Sequence, residues 1–512
     1  MKKAFSMLVA SIAVVATMLS CTSDDSSYGI DNTNITISGI DNKYVVTSFA
    51  GQYLEINPQI KSSFPEDDLE YQWSYYDPSV KTVGNTERAK VVSNDKNLKY
   101  EMNLLDGTYK FYLTVTSKST GYGQQSEMFS VTAASALSKG LFILKEDASG
   151  NTDVDLYSTT ENRVIENLLK EKTGATLKGK PRSLDVIPNL CYINPDGSGN
   201  SSGTCISITT DDDHAAWYRV LDMTKVMDET CCTYDGYVAG RRPYRTVYST
   251  YSGHYLSSSS VFTAYLSTVM LSIGKFATVG DNGSSTHVIR DKSNTYFIIW
   301  NETAKRFSEV DYNGSYYPVK NIDGTTGGSY DNLECLSSGM CLAGGETGYF
   351  IMQDKTNPAK RWIYFLQFDP GTRMASVENV KEIESGCHLA NSNVFAVNCQ
   401  QASVIYCIDN NRLYAYDLNG LVAEKELALA GIPSGENVTY IANRFFNGAE
   451  AWDRLFVGTQ NGDNYKIYIY NVVGGEPVGQ PVMTIEGKGK LRKVDYADPE
   501  ITSAGQTPLL DD

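Results

Sequence analysis

Histidine is scarce in this 512-residue chain: His214, His254, His287 and His388 are the only four, and no two stand at the spacing of a metal-ligand pair. Neither H-E-x-x-H nor the phosphate-cradling G-x-x-x-x-G-K-[ST] occurs, which excludes the zinc-protease and P-loop chemistries those motifs carry. The ten cysteines include no C-x-x-C pair, so a cysteine-rich zinc site is excluded as well. Positive charge is short, with 44 Lys+Arg against 60 Asp+Glu and a formal charge of −16. So acidic a surface repels phosphate backbones and argues against nucleic acid as a partner. Beyond the first twenty residues no apolar run approaches the ~18 residues of a membrane-spanning helix. Proline (15) and charged residues (20%) are few while 35 tyrosines are spread along the chain, which excludes a disordered polymer.

What is present begins with an export signal over residues 1–20. Lys2 and Lys3 form a basic start, and the apolar run Leu8 to Leu19 is too short to remain as a spanning helix. Met18-Leu19-Ser20-Cys21 resembles a bacterial lipobox, which implies that the Cys21 thiol is lipidated and that palmitate-type acyl chains anchor the protein. Several chains hold firmly, since each buried CH₂ contributes about 0.8 kcal/mol. Ser23-Asp24-Asp25 resembles the acidic lipoprotein-export signal of Bacteroidota, which implies an outer-membrane lipoprotein exposed on the cell surface. Residues 21–33 then read as a lipidated polar tether. Loss of Lys2 and Lys3 with the signal takes the side-chain charge to −18.

Nine cysteines follow Cys21, an odd number, so at least one thiol stays unpaired. Cys191 with Cys205, Cys335 with Cys341, and Cys399 with Cys407 lie at separations a hairpin could bridge. Buried free thiols acting as small apolar side chains are the alternative.

Residues 34–137 read as short strands: "ITISGI", "YVVTSFA", "YLEINPQI", "LEYQWSYYD" and "YKFYLTVTS" cluster or alternate β-branched and aromatic residues between Gly, Asn and Asp. That many strands in about 100 residues suit a β-sandwich, with Trp73, flanked by Tyr71 and Tyr75, facing its core. "LEYQWSYYDP" and "GTYKFYLTVTSKSTGY" resemble the signatures of PKD-type domains. With the lipobox and the β-rich remainder, the chain resembles the PKD-like lipoproteins of Bacteroidota. It departs from the classical repeat in lacking the W-D-F-G-D-G turn.

From 138 to 512 a looser repeat appears. Aromatic or aliphatic alternations ending in Asp or Asn recur in "FSEVD", "IYFLQFD", "RLYAYD" and "KIYIYN", closing at Asp311, Asp369, Asp417 and Asn471, with "TDVDLY" and "WYRVLD" earlier. Their spacing suits four-stranded propeller blades of about 40–50 residues, about seven in all. The expected fold is therefore all-β, a PKD/immunoglobulin-like sandwich followed by a β-propeller-like domain. "GLFIL", "TVMLSI", "YFIIW", "GYFIM" and "RLFVG" are expected as inner or middle strands, and "TTENRVIENLLKEKTG" as a helix stopped by Gly174.

Asp211-Asp212-Asp213 beside His214 and Trp217 is the most tempting candidate for carboxylate chemistry, but a charge run next to a strand end reads as a solvated turn. Asp147, Asn151 and Asp153 in "DASGNTDVD" could offer oxygens to calcium, although the glycine and closing Glu of an EF-hand are missing. "RRPYRTVYSTYSGHYLSSSS", Arg241 to Ser260, reads as an exposed loop, so Tyr244, Tyr248, Tyr251 and Tyr255, with Trp217, are the expected ligand or partner contacts. The resemblance implies an accessory binding component beside a TonB-dependent transporter and its lipoprotein lid, capturing an oligosaccharide or peptide without catalysis. The alternatives are a propeller-based surface glycoside hydrolase or lyase, and an adhesin or structural partner.

Overall fold

The computed structural model describes residues 34–501 except 49–51, 77–88, 105–106, 267–273, 279–282, 344, 370–373, 420–423 and 449. The signal segment, Cys21, the tether and the "TVMLSI" strand expectation lie outside the described residues. The chain divides into two compact units, Met1–Ala134 and Ser135–Asp512. No helix among the described residues is long and apolar enough to cross a membrane.

The first unit is all-β. Its main sheet places Lys43–Ser48, Phe129–Ser135, Gly107–Ser117, Leu69–Tyr76 and Ala89–Ser93 side by side. Two small antiparallel pairs, Ile35–Ser38 with Gln59–Ser62 and Tyr53–Ile56 with Leu98–Glu101, add Ile35, Leu54, Ile56 and Leu98 to the same buried core. In the strand "LEYQWSYY" alternate residues Leu69, Trp73 and Tyr75 turn inward, as a period of two requires. Trp73 is fully buried, and its Nε1 donates to the Asp95 carbonyl at 3.0 Å. The indole supplies core area while its one polar atom stays paired.

The second unit contains seven four-stranded antiparallel sheets among the described residues. Six are consecutive meanders, beginning with Pro181–Ile193, Pro243–Tyr248, Val288–Arg290, Leu333–Cys341, Phe395–Val397 and Asn437–Phe446. The remaining sheet is assembled from both ends of the unit. Lys490–Ala497 pairs beside Gly140–Glu146, followed by Thr152–Ser158 and Arg163–Ile165. We number this composite sheet first and the meanders second to seventh. Tight turns set the registers: Asp409 pairs with Arg412 across Asn410-Asn411, whose φ values of 50° and 61° suit a type I′ hairpin.

Apolar clusters join each sheet to the next. Phe142 packs with Leu184 between the first and second sheets, and Trp217 with Tyr255 between second and third. Val247 and Val288, then Trp300 and Phe350, then Ile351 and Ile405, then Tyr406 and Leu455 continue the series. Phe456 and Ile143 share a cluster that returns from the seventh sheet to the first. This cyclic order explains why the strands are apolar on both faces: each sheet is covered by two neighbours. All six aromatic-to-Asp/Asn marks fall on the third strand of a sheet, counted outward from the strand nearest the centre.

Two expectations are corrected. Only Leu168–Thr173 of "TTENRVIENLLKEKTG" is helical, because Arg163–Ile165 pairs as the edge of the first sheet. Gly174 does stop the helix, at φ 84°. The run Arg241 to Ser260 is no exposed loop: it supplies the paired strands Pro243–Tyr248 and Ser252–Ser257. Several of its hydroxyls find partners inside the protein, as in Ser249 Oγ to the Ser252 carbonyl and Ser257 Oγ to the Ser260 carbonyl, which lowers the cost of burying a polar sequence.

The nine cysteines of the described residues form no disulfide with one another, and among them only Cys231 is exposed. The ladders show why hairpin bridges do not form: Cys191 faces Ser202, Cys335 faces Met352 and Cys407 faces Phe395.

Candidate functional site

The strands nearest the centre converge on a cavity of about 180 Å³. The second sheet contributes Arg182 and Ser183, the seventh Tyr440 and Arg444, and the closing strand Arg492 and Lys493. His287, Leu336 and Phe395 arrive from the fourth, fifth and sixth sheets. Among the described residues, the lining includes no aspartate or glutamate.

Asp185, immediately behind this lining, organises three of its neighbours. Arg245 Nη2 reaches Asp185 Oδ1 at 2.5 Å, Lys493 Nζ reaches the same oxygen at 3.1 Å, and Ser183 Oγ donates to Oδ2 at 2.8 Å. Burial opposes ionisation of this carboxyl, but the charges of Arg245 and Lys493, with the hydrogen bonds from Arg245 and Ser183, outweigh it and hold it at about 2. Lys493 shifts the other way. Burial, then repulsion from Arg245, makes its ammonium easier to deprotonate, with Asp185 and Asp495 opposing. Burial likewise raises Asp495, against the pull of Arg444 and Lys493; its Oδ2 accepts from Val186 N at 3.0 Å. Arg444 Nε donates to the Val494 carbonyl at 3.2 Å. Arg182 donates to the Pro243 carbonyl and lies 5.7 Å from the centre of the Tyr244 ring.

A second cavity, about 230 Å³, opens at the outer part of the fourth sheet. Phe307, Tyr316, Tyr317 and Tyr330 line it beside Arg306 and Asn321, and Tyr330 Oη donates to Asn321 Oδ1 at 2.8 Å. Flat rings with amide and guanidinium groups between them are a surface on which an apolar face with polar edges can rest.

The residues singled out from sequence do not converge. Trp217, Tyr244, Tyr248 and Tyr255 are packed inside the ring. Trp217 Nε1 donates to Thr246 Oγ1 at 3.2 Å and its rings meet Tyr255 edge-on at 5.2 Å. These four hold sheets together instead of presenting a contact surface, because the third sheet is covered on both faces. Tyr251 is 38% exposed and leans edge-on against Tyr312.

Asp211, Asp212 and Asp213 form a turn between Asn200–Thr210 and Ala215–Arg219. Asp211 Oδ1 accepts from Lys180 N at 2.6 Å, Asp212 pairs with Lys178 at 3.1 Å, and Asp213 approaches Arg242 at 3.7 Å. Each carboxylate has its own partner. His214 Nδ1 lies 2.7 Å from Glu229 Oε1. The run Gly199-Asn200-Ser201-Ser202-Gly203 matches nucleophile-elbow spacing, yet it lies on a hairpin strand with no helix after it.

The oxygens that could serve calcium take backbone partners. Asp147 Oδ1 accepts from Ser149 N and Asn151 N to close its turn, and Asp153 Oδ1 accepts from Val154 N and Leu169 N. No group of three or more His, Cys, Asp or Glu among the described residues is arranged to hold a metal ion.

Sequence reasoning passed over the central cations. They lie far apart in the chain, in "KGKPRS", "ANRFF" and "KLRKVD", and no local motif unites them. Arg182 stands second in its strand but Arg444 eighth of ten, so position along the strand gave no common signal.

Residues 23–181 match the PKD-like family. No curated protein matches the chain. Among solved structures it is similar to an auxiliary nutrient binding protein from Bacteroides thetaiotaomicron, at 8% identity and a TM-score of 0.30, over 83% of this chain and 95% of the other. It is also similar to a DUF4784 family protein from Bacteroides caccae, at 8% identity and a TM-score of 0.32, over 77% of this chain and 96% of the other. A functionally unknown protein from Desulfotomaculum acetoxidans is similar at 11% identity and a TM-score of 0.39, over 71% of this chain and all of the other.

Proposed function

We propose that this protein is a surface-exposed outer-membrane lipoprotein, anchored through acylated Cys21, that binds a nutrient for a TonB-dependent uptake system. Its seven sheets are the blades of a propeller, and the cavity they enclose is the binding site. The observation that carries this reading is the composition of that cavity. Its lining mixes cations with polar side chains such as Thr286, His287 and Asn393 and apolar ones such as Leu336 and Phe395, and among the described residues it holds no pair of carboxylates facing each other across it. Glycoside hydrolysis needs such a pair flanking the scissile bond, so the cavity favours holding a ligand over cleaving one. The Asp211–Asp213 turn supports the same choice, since each of its carboxylates already has a partner.

The anchor follows from Met18-Leu19-Ser20-Cys21, and the surface destination from Ser23-Asp24-Asp25. Mild-detergent extraction of outer membranes, followed by capture through a C-terminal tag, tests the assignment. Stoichiometric recovery of a TonB-dependent transporter and its lipoprotein lid is expected. Recovery of the tagged protein alone would remove the importer role. Cys21→Ala should release the protein from the membrane fraction, and retention of that variant would remove the lipid anchor.

A further inference from the structure

We infer that the central cavity is selective for an anion: it takes a small ligand through a carboxylate, held by Arg182, Arg492 and Lys493. This rests on the cavity being a binding site, as proposed above, and adds the chemistry that site selects.

The argument starts from charge. The chain as a whole is at −16, yet five cations, Arg182, Arg245, Arg444, Arg492 and Lys493, line or directly back this cavity against two carboxylates, Asp185 and Asp495. Arg182 also feels Arg242, Asp211 and Asp213, and the balance remains positive when these are included. Like charges gathered away from water repel each other strongly, because the interior screens them less than solvent does. The strain shows in the groups themselves: burial and neighbouring arginines make both Arg182 and Lys493 easier to deprotonate than usual. An anion entering the cavity relieves this repulsion, and a neutral ligand does not.

Geometry narrows the ligand. Arg182 spends one donor on the Pro243 carbonyl, and Lys493 is tied to Asp185 and Ser183, so both heads are held in place and not left to swing in solvent. Arg492, by contrast, is exposed at the rim. The fixed guanidinium of Arg182 suits the planar, two-oxygen face of a carboxylate, with Lys493 beside it as a point charge. The remaining wall mixes Leu336, Phe395 and Tyr440 with the polar Thr286, His287 and Asn393, and suits a ligand with both an apolar face and hydrogen-bonding groups beside its charge. At about 180 Å³ the space is smaller than the ~300 Å³ at which pockets begin to enclose drug-sized molecules. It therefore fits one charged unit or chain end. A hexuronate of an acidic glycan and the C-terminal carboxylate of a peptide both supply that chemistry.

Calorimetric titration of the whole mature protein separates these cases. The probes are D-galacturonate with its methyl ester, and N-acetylglycine with N-acetylglycinamide. At least one acid is expected to bind at least tenfold more tightly than its neutral partner, with affinity falling as salt is raised, and the acid that binds identifies the source. Arg182→Gln and Arg492→Gln should each weaken that acid at least tenfold; Arg492 is exposed, so its variant keeps the fold and the test stands if Arg182→Gln does not fold. Equal binding of acid and neutral partner, or unchanged affinity in Arg492→Gln and a folded Arg182→Gln, would overturn anion selectivity while leaving a binding cavity in place. Absence of binding by either acid also overturns it. Recovery of the transporter in the capture experiment is unaffected by any of these results, so the two readings fail separately.

Discussion

Tyr465 Oη donates to Asp155 Oδ2 at 2.7 Å, joining the seventh sheet to the first across 310 positions of sequence. Both side chains are buried, and Asp155 Oδ1 meanwhile receives Lys145 Nζ at 2.5 Å and Asn167 N at 2.7 Å. The cyclic arrangement thus closes at a buried hydrogen bond to a paired carboxylate as well as at the ladder between Gly140–Glu146 and Lys490–Ala497.

Removing either partner should be costly in proportion to the charge left behind. Asp155→Ala strands the Lys145 ammonium and should lose about 3–5 kcal/mol. Tyr465→Phe removes one hydrogen bond to a charged acceptor and should lose about 1.5–3 kcal/mol. Urea unfolding of both variants checks the order. An Asp155→Ala protein as stable as the parent would show that this buried cluster does not hold the ring closed.

His254 makes stability depend on pH. It is buried against Phe297 with Nδ1 3.0 Å from Thr263 Oγ1, and burial lowers its pKa to about 3. The folded protein keeps this ring neutral, whereas the unfolded chain binds a proton below about pH 6.5. Its contribution is therefore complete above about pH 6.5 and is lost progressively as pH falls toward about 3, by an amount on the order of 4 kcal/mol. His254→Gln should flatten the melting temperature across that window. An unchanged slope in the variant would assign the acid sensitivity to other groups.

Trp217 and Tyr251 were both candidates for contact, and the fold separates them. Trp217→Ala should cost about 3–5 kcal/mol, the usual loss for a large buried aromatic. Tyr251→Ala gives up a surface edge-to-face pair with Tyr312 and should cost about 0.5–1.5 kcal/mol. Thermal unfolding of the two variants side by side is sufficient. Similar losses would contradict the packing described for the third sheet.

Gly489 admits the chain to the closing strand. Its φ is 115°, and a Cβ there would lie 2.7 Å from the Glu146 carbonyl oxygen, a backbone atom with little room to yield. Gly489→Ala should therefore destabilise by more than about 1 kcal/mol. Limited proteolysis near residue 490 should quicken in the variant if the closing strand loosens, and an unaltered digestion pattern would argue that it does not.

Local order was legible in the chain itself. Period-two alternation placed Trp73 in its core, and the aromatic runs ending at Asp311, Asp369, Asp417 and Asn471 marked successive third strands, because side-chain direction along a strand is set by the backbone pleat. Gly174 announced its helix end for a similarly local reason, the ease of a left-handed φ. Tertiary structure alone decided the rest. Ser-, Thr- and Tyr-rich strands from Pro243 to Ser257 became interior once hydroxyls found partners inside the fold, and a polar composition cannot report that in advance. Arg163–Ile165 became a strand because an open ladder edge was available to it. Arg182, Arg444, Arg492 and Lys493 became one rim because strands from three sheets meet at the centre, and electrostatic interaction depends on distance in space, to which separation along the chain is blind.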